Sequence, residues 1–168
     1  LWADFDEPEG LTLADTVGRA GCAVQCDLWG YTSRSATAQC QKARLVIPLA
    51  EPVNGKEFVQ LQKALNRRLE TEGLKPDPVT KRAGQVCYLP NRGEYYQYLV
   101  HECSGPLDPF TFADDLAAIE REERTAQEAR KAAQEAARTK ATQRIASGME
   151  SPVEAFNAAY DLPLILDT

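Results

Sequence analysis

The sequence has little histidine and methionine, and it lacks long apolar runs and a basic excess. Among 168 residues there are one histidine and one methionine. The sequence contains no run of about 18 consecutive apolar residues, so we expect no membrane-spanning helix. The first residues have neither a basic start nor an apolar run, so we expect no secretory signal. The formal net charge of -6 argues against a general nucleic-acid coat, which depends on clustered Lys and Arg.

Charge and hydropathy are unevenly distributed along the chain. Residues 1–110 carry 12 basic and 14 acidic side chains, whereas residues 111–168 carry 7 and 11. The first part is therefore close to neutral and leaves room for a local basic groove. Residues 162–166 form an apolar stretch with little sequence after it, and no initiator Met precedes Leu1. From these ends we expect the chain to be a piece of a longer protein that has further modules.

The cysteines are five in number and show no paired C-x-x-C spacing. An odd, unpaired set predicts a reduced, cytoplasmic setting in which cysteines are small apolar residues. A zinc site is the alternative, because thiols and imidazole are the ligands that zinc prefers. Its candidate ligands are Cys22, Cys26, Cys40, His101 and Cys103.

The pattern of apolar residues predicts an α+β fold in residues 1–110, with helices packed on a mixed sheet. Asn54 with Glu57 predicts a capped helix, and Gly73 marks its end. The predicted strands are residues 1–6, 27–32, 43–49, 85–90 and 95–100, and the predicted helices are residues 12–20 and 54–73. This order is typical of ferredoxin-like and RNA-recognition-motif-like folds.

Residues 111–148 predict one long, charged helix. They contain no Pro or Gly before Gly148 and are rich in Ala, Glu, Arg, Lys and Gln, which are strong helix formers. Large apolar residues do not recur at two positions per heptad, which favours a spacer helix over a coiled coil. Ser151 followed by Pro152 then predicts a new helix in residues 149–168 that leads toward a downstream module.

Asp4 and Asp6 are the first candidate site residues. On a strand, residues two apart point to the same face, so both carboxylates would enter one site. Two such groups are what a magnesium or manganese ion takes from protein, with water and phosphate completing its shell. Asp77, in an Asp-Pro turn, is the candidate for a third carboxylate. Taken singly, these residues also fit a polar strand end and an ordinary turn.

A hydroxyl-rich turn supplies candidate phosphate ligands. Ser33, Arg34 and Ser35 follow the strand at residues 27–32, and Arg44 opens the next strand. Hydroxyl groups donate to phosphate oxygens, and the arginine fork binds them in pairs. A solvent-exposed hairpin is the alternative for this segment.

Four segments in this order resemble the archaeo-eukaryotic primase (prim-pol) superfamily, in its phage and plasmid replication branch. They are Ala-Asp-Phe-Asp at residues 3–6, Tyr-Thr-Ser at 31–33, Arg-Leu-Val-Ile-Pro-Leu at 44–49 and Gln-Val-Cys-Tyr-Leu-Pro at 85–90. Residues 151–157 are similar to the segment that joins such domains to a helicase. The resemblance covers about the first 100 residues.

The resemblance implies template-directed nucleotidyl transfer on single-stranded DNA. Asp4, Asp6 and Asp77 would hold Mg²⁺ or Mn²⁺, and Ser33, Arg34, Ser35 and Arg44 would surround an incoming nucleoside triphosphate. A helicase downstream and the cytoplasm of a bacterial host are further implications. The family's second motif usually carries a histidine, whereas residues 33–37 of this chain contain none.

Two other functions are consistent with the sequence. In one, the domain binds single-stranded DNA or an origin without catalysis, and Tyr96 and Tyr98 stack on bases. In the other, the long helix docks a helicase or a second copy of the chain.

Overall fold

The computed structural model describes residues 1–7, 10–146 and 152–159. Four strands and four helices occur along these residues. The strands are β1 (Trp2–Phe5), β2 (Leu28–Thr32), β3 (Ala43–Val46) and β4 (Tyr98–His101), and the helices are α1 (Leu13–Val24), α2 (Gly55–Thr71), α3 (Ala113–Ala146) and α4 (Pro152–Ala159). Their order along the chain is β1-α1-β2-β3-α2-β4-α3-α4. Short 3₁₀ turns occupy Pro78–Lys81 and Pro109–Phe112. The predicted α+β class is confirmed.

The four strands form one sheet in the order β1-β3-β2-β4, and all three pairings are antiparallel. The expected mixed sheet is therefore wrong. The crossover through α1 joins β1 to β2 with β3 between them, and the crossover through α2 joins β3 to β4 with β2 between them. Parallel strands are thus always separated by an antiparallel neighbour, which is the split βαβ arrangement.

Both core helices begin at capping boxes. Thr12 and Asp15 exchange side-chain and backbone hydrogen bonds at the start of α1, and Asn54 and Glu57 do the same for α2. Each box satisfies amide groups that the first helical turn leaves without partners. The box predicted for α2 is confirmed, and α1 extends four residues beyond its predicted end at Ala20.

The core lies between these helices and one face of the sheet. Strand residues that alternate toward the helices are fully buried, whereas their neighbours point to the opposite face. The core includes Ala3, Phe5, Leu28, Ala43 and Leu45 from the sheet and Leu13, Val17, Leu61, Leu65 and Leu69 from the helices. Gly30 faces α1 directly, and a Cβ atom there would overlap a methyl group of Val17. The absence of a side chain at Gly30 therefore lets α1 lie close to β2.

Residues 85–90 form an irregular segment, so the strand predicted there is wrong. They pair with none of the four strands of the sheet. β4 occupies the edge beside β2. On the β1 edge, the Asp77 amide donates to the Asp4 carbonyl (2.8 Å) and the Gln62 amide bonds the backbone of Trp2. A strand needs a neighbour's amide and carbonyl groups, and on the β1 edge Asp77 and Gln62 bond to such groups instead.

The chain divides into two compact units, Leu1–Glu120 and Arg121–Thr168. The first turns of α3 belong to the first unit, because Ile119 is buried and Leu116 packs on the same core. In the second unit, every residue from 121 to 143 is exposed. Within the described residues, no helix has the length and apolar character to cross a membrane. Gly148, Ser151 and the apolar stretch 162–166 lie outside the described residues.

Candidate functional site

The sheet face opposite the helices carries a row of polar and aromatic side chains. Strand register places Asp4 opposite Arg44, Arg44 opposite Tyr31, and Tyr31 opposite Tyr98. Cross-strand partners of this kind have Cβ atoms about 5 Å apart. One residue from each strand thus contributes to a continuous row on this face.

A pocket of about 580 Å³ opens at one end of this row. Five predicted site residues line it, namely Asp6, Ser33, Arg34, Ser35 and Arg44. The remaining lining residues are Tyr31, Tyr88, Leu89 and Asn91. Segments distant in sequence therefore converge on one open cavity.

The wall of the pocket is the irregular segment at residues 88–97, which side chains of β2 hold against that strand. The Thr32 hydroxyl donates to the Tyr95 carbonyl (2.9 Å) and accepts from the Gln97 amide (2.8 Å). The Tyr31 hydroxyl donates to the carbonyl of Tyr88. A Cβ atom at Gly93 would lie 2.5 Å from the carbonyl oxygen of Arg34, so only glycine permits this approach.

Asp4 is the most constrained carboxylate of the site. Its Oδ2 accepts a hydrogen bond from Arg44 Nε at 2.9 Å, while its buried Oδ1 has no hydrogen-bond partner. Burial raises the pKa of Asp4, Arg44 opposes this rise, and the nearby charges of Asp6 and Asp77 add to it. A buried carboxylate oxygen without a partner is costly, and such costs are concentrated at functional sites.

Asp6 and Asp77 lie close enough to Asp4 to affect its ionisation, yet they are held differently. The Asp6 side chain is 59% exposed, with Lys42 Nζ 3.6 Å from its Oδ1. Asp77 Oδ1 accepts the Val79 amide at 2.8 Å and so begins the 3₁₀ turn. The Asp-Pro turn interpretation is thus correct, and the charge of Asp77 contributes to the raised pKa of Asp4.

The donor set fits a divalent cation in one specific respect, which is the unpartnered Oδ1 of Asp4. Carboxylate oxygens of this kind are the ligands that Mg²⁺ and Mn²⁺ prefer. In the described part of the chain, however, no three His, Cys, Asp or Glu side chains are already grouped as metal ligands. The same observation applies to the zinc candidates, and all five cysteines are free thiols.

Two arginines line the pocket although the chain is acidic. Residues 28–50 contain Arg34, Lys42 and Arg44 and no acidic residue, and residues 78–93 contain three basic residues and none that is acidic. The Arg44 guanidinium lies 5.6 Å from the centre of the Tyr88 ring. Arg34 and Arg44 line the pocket beside the single carboxylate of Asp6, so the charged side chains of its lining are two cations and one anion.

The predicted base-stacking residues are placed differently from each other. Tyr98 belongs to β4 and is 64% exposed. Tyr96 precedes that strand, is half-buried and lies under the guanidinium of Arg92, 5.4 Å from the ring centre. Trp29, which the sequence reasoning missed, is 45% exposed on the same sheet face as Tyr98. Its alternation with Leu28 and Gly30, which face the core, is the signal that identifies it.

Comparisons of the chain with protein-family models, with curated proteins and with solved structures found no match.

Proposed function

We propose that the Leu1–Glu120 unit is a metal-dependent nucleotidyltransferase of the primase-polymerase type, from a phage or plasmid replication protein that acts in the bacterial cytoplasm. One observation carries the proposal. The Asp6 carboxylate, hydroxyl groups and two guanidinium groups converge from four separate segments on one open pocket, and Asp4 is ion-paired with one of these arginines, Arg44. Carboxylates for divalent ions beside cations for phosphate are the parts that phosphoryl transfer requires.

Asp4, Asp6 and Asp77 are the residues that would hold Mg²⁺ or Mn²⁺. When bound, such an ion neutralises the charge of a triphosphate and lowers the pKa of an attacking hydroxyl group. The free Oδ1 of Asp4 supports this assignment, as does the exposure of the Asp6 carboxylate at the pocket.

The chain's own cations and hydroxyl groups would position the triphosphate. Arg34 and Arg44 would bind phosphate oxygens through guanidinium forks, and Ser33 and Ser35, whose hydroxyl oxygens are 3.2 Å apart, would donate to them. Most of the rate in such a site comes from positioning and electrostatic stabilisation. Because arginine stays charged at neutral pH, Arg34 would supply the phosphate contact where the resembling family usually has histidine.

The test is nucleotide incorporation on a single-stranded DNA template with Mg²⁺ or Mn²⁺. We expect the unmodified chain to extend a primer, and Asp4→Ala and Asp6→Ala to abolish extension. Glu51→Ala is the control, because Glu51 is an exposed acid outside the pocket. Absence of incorporation by the unmodified chain, together with absence of triphosphate binding, would refute the proposal.

The exposed aromatic residues favour a second candidate function, which is binding of single-stranded DNA without catalysis. Trp29 and Tyr98 present ring surface beside the basic pocket, and bases stack on such surfaces with little sequence preference. DNA affinity that needs both rings and is unchanged by chelation of divalent ions, without nucleotide incorporation, would favour this function over the first.

A further inference from the structure

Three polar side chains are buried between β1 and the turn that carries Asp77. Gln62 and Asn66, on α2, are 0% exposed, and Thr80, in the 3₁₀ turn, is 1% exposed. Uncharged polar groups at such depth are stabilising only when their hydrogen bonds are made. Their partners therefore show what the three residues hold in place.

Gln62 holds the free edge of β1. Its Oε1 accepts the Trp2 amide at 3.4 Å, and its Nε2 donates to the Trp2 carbonyl at 2.7 Å. A side-chain amide thus bonds the strand edge as a neighbouring strand would. Two residues further along the same edge, the Asp4 carbonyl accepts the Asp77 amide at 2.8 Å.

Asn66 and Thr80 extend this anchorage to the turn that carries Asp77. Gln62 Nε2 donates to Asn66 Oδ1 at 3.0 Å, and Asn66 Nδ2 donates to Thr80 Oγ1 at 3.2 Å. The Thr80 hydroxyl in turn donates to the Asp77 carbonyl at 2.8 Å. One chain of hydrogen bonds therefore runs from the strand that carries Asp4 to the turn that carries Asp77.

We infer that Gln62, Asn66 and Thr80 are positioning residues that fix the Asp77 turn against the Asp4 strand, and so set the spacing of the two carboxylates. The inference rests on the proposed function, in which both carboxylates hold the same divalent ions. Because carboxylates repel each other, the acidic turn needs such an anchor to remain beside Asp4. Amide and hydroxyl groups provide it without placing a competing cation in the site.

The test is Thr80→Val, which removes the hydroxyl group and nearly preserves the shape. Thr80→Ser restores the hydroxyl group and is the rescue variant. Thr16→Val is the matched control, since Thr16 is also buried and its hydroxyl donates to a carbonyl, that of Thr12 at 3.0 Å, at the start of α1. Thr80→Ala is a second variant in case the valine methyl group prevents folding.

Two quantities are measured on the full chain, namely hydrogen exchange of the Asp77 amide and the Mn²⁺ dissociation constant by calorimetry. We expect Thr80→Val to speed exchange at Asp77 and to weaken Mn²⁺ binding about tenfold, the lower end for groups that orient metal ligands. Thr80→Ser and Thr16→Val should leave both quantities near those of the unmodified chain.

Unchanged exchange and unchanged Mn²⁺ affinity in folded Thr80→Val or Thr80→Ala would overturn the inference. Equal weakening by Thr16→Val would also overturn it, because the effect would then be one of general stability. If the unmodified chain bound no Mn²⁺ while Thr80→Val still freed the Asp77 amide, the proposed function would fail, whereas the positioning of the turn would be supported.

Discussion

Gly30 lies where α1 crosses the sheet, and replacing it by alanine tests the packing that supports the site. The added Cβ atom would overlap Val17 and lie 3.1 Å from Leu45 Cδ2 and 3.3 Å from Leu13 Cδ1. All three neighbours belong to the core and cannot move into solvent. Overpacking of this kind costs about 1–3 kcal/mol. At a urea m-value of about 2 kcal/mol/M, Gly30→Ala should lower the unfolding midpoint by roughly 1 M.

Gly18→Ala is the matched control for this prediction. Gly18 is exposed in the middle of α1, and a Cβ atom there meets nothing within 4 Å. Alanine in a helix interior is favoured over glycine by about 0.5–1 kcal/mol, so this variant should be more stable than the unmodified chain. Urea unfolding followed by circular dichroism measures both changes. If Gly30→Ala were as stable as Gly18→Ala, the close packing of α1 on β2 would be refuted.

Three further predictions concern the site and its support. Trp29→Ala should weaken binding of an oligothymidine roughly 5- to 150-fold, from about 1–3 kcal/mol per stacked base. Fluorescence anisotropy of a dye-labelled oligothymidine measures the affinity of both proteins, and equal affinity would contradict the prediction. The pKa of Asp4 is raised in the folded chain, so folding favours the protonated carboxyl group. The stability that this group contributes is therefore complete below about pH 4, the ordinary pKa of aspartate. It is lost as the pH rises through the raised pKa of the folded chain. The unfolding free energy of the unmodified chain, measured against Asp4→Asn without divalent ions, should therefore fall over that range, and a rise would refute it. Asn54→Ala should cost about 1 kcal/mol by losing the α2 cap, and no change in thermal unfolding would contradict this.

The secondary structure was predictable where local signals and burial agree. The Asn54 and Glu57 capping box fixes the start of α2, and the apolar spacing fixes its buried face. The apolar segment at residues 43–49 was recognised as a strand, although β3 ends at Val46, before Pro48. Such features depend only on residues close together in the sequence, so the sequence alone is enough to predict them.

The pairing of the sheet was not predictable in the same way. Residues 85–90 have the composition of a strand, yet they pair with none of the four strands, and the edge of β1 is bonded by Gln62 and Asp77 instead. The antiparallel order depends on where the two crossovers place β2 and β4, and no local pattern records it. The strand prediction at residues 85–90 was therefore wrong because strand formation depends on pairing with segments distant in the sequence.

The charged residues that line the pocket were candidates from the sequence, whereas the aromatic ones were not. Asp6 and the turn from Ser33 to Ser35 line the pocket, whereas Asp4 and Asp77 do not. Tyr31 and Tyr88 were not predicted to line it, because their contact joins segments 57 residues apart. The ion pair between Arg44 and Asp4 was missed for the same reason, since it depends on strand register.

Triphosphate binding tests the proposed nucleotidyl transfer most directly, because a chain that does not bind a nucleoside triphosphate cannot transfer its nucleotide. Calorimetry with a nucleoside triphosphate and Mg²⁺ compares the unmodified chain with Arg44→Gln. Lys56→Gln is the control, since Lys56 is exposed at the start of α2 and lies outside the pocket. We predict binding by the unmodified chain and by Lys56→Gln, and a loss of roughly tenfold or more in Arg44→Gln, from about 1.5–3 kcal/mol per charged hydrogen bond. Absence of binding by the unmodified chain, or equal binding by Arg44→Gln, would contradict the account.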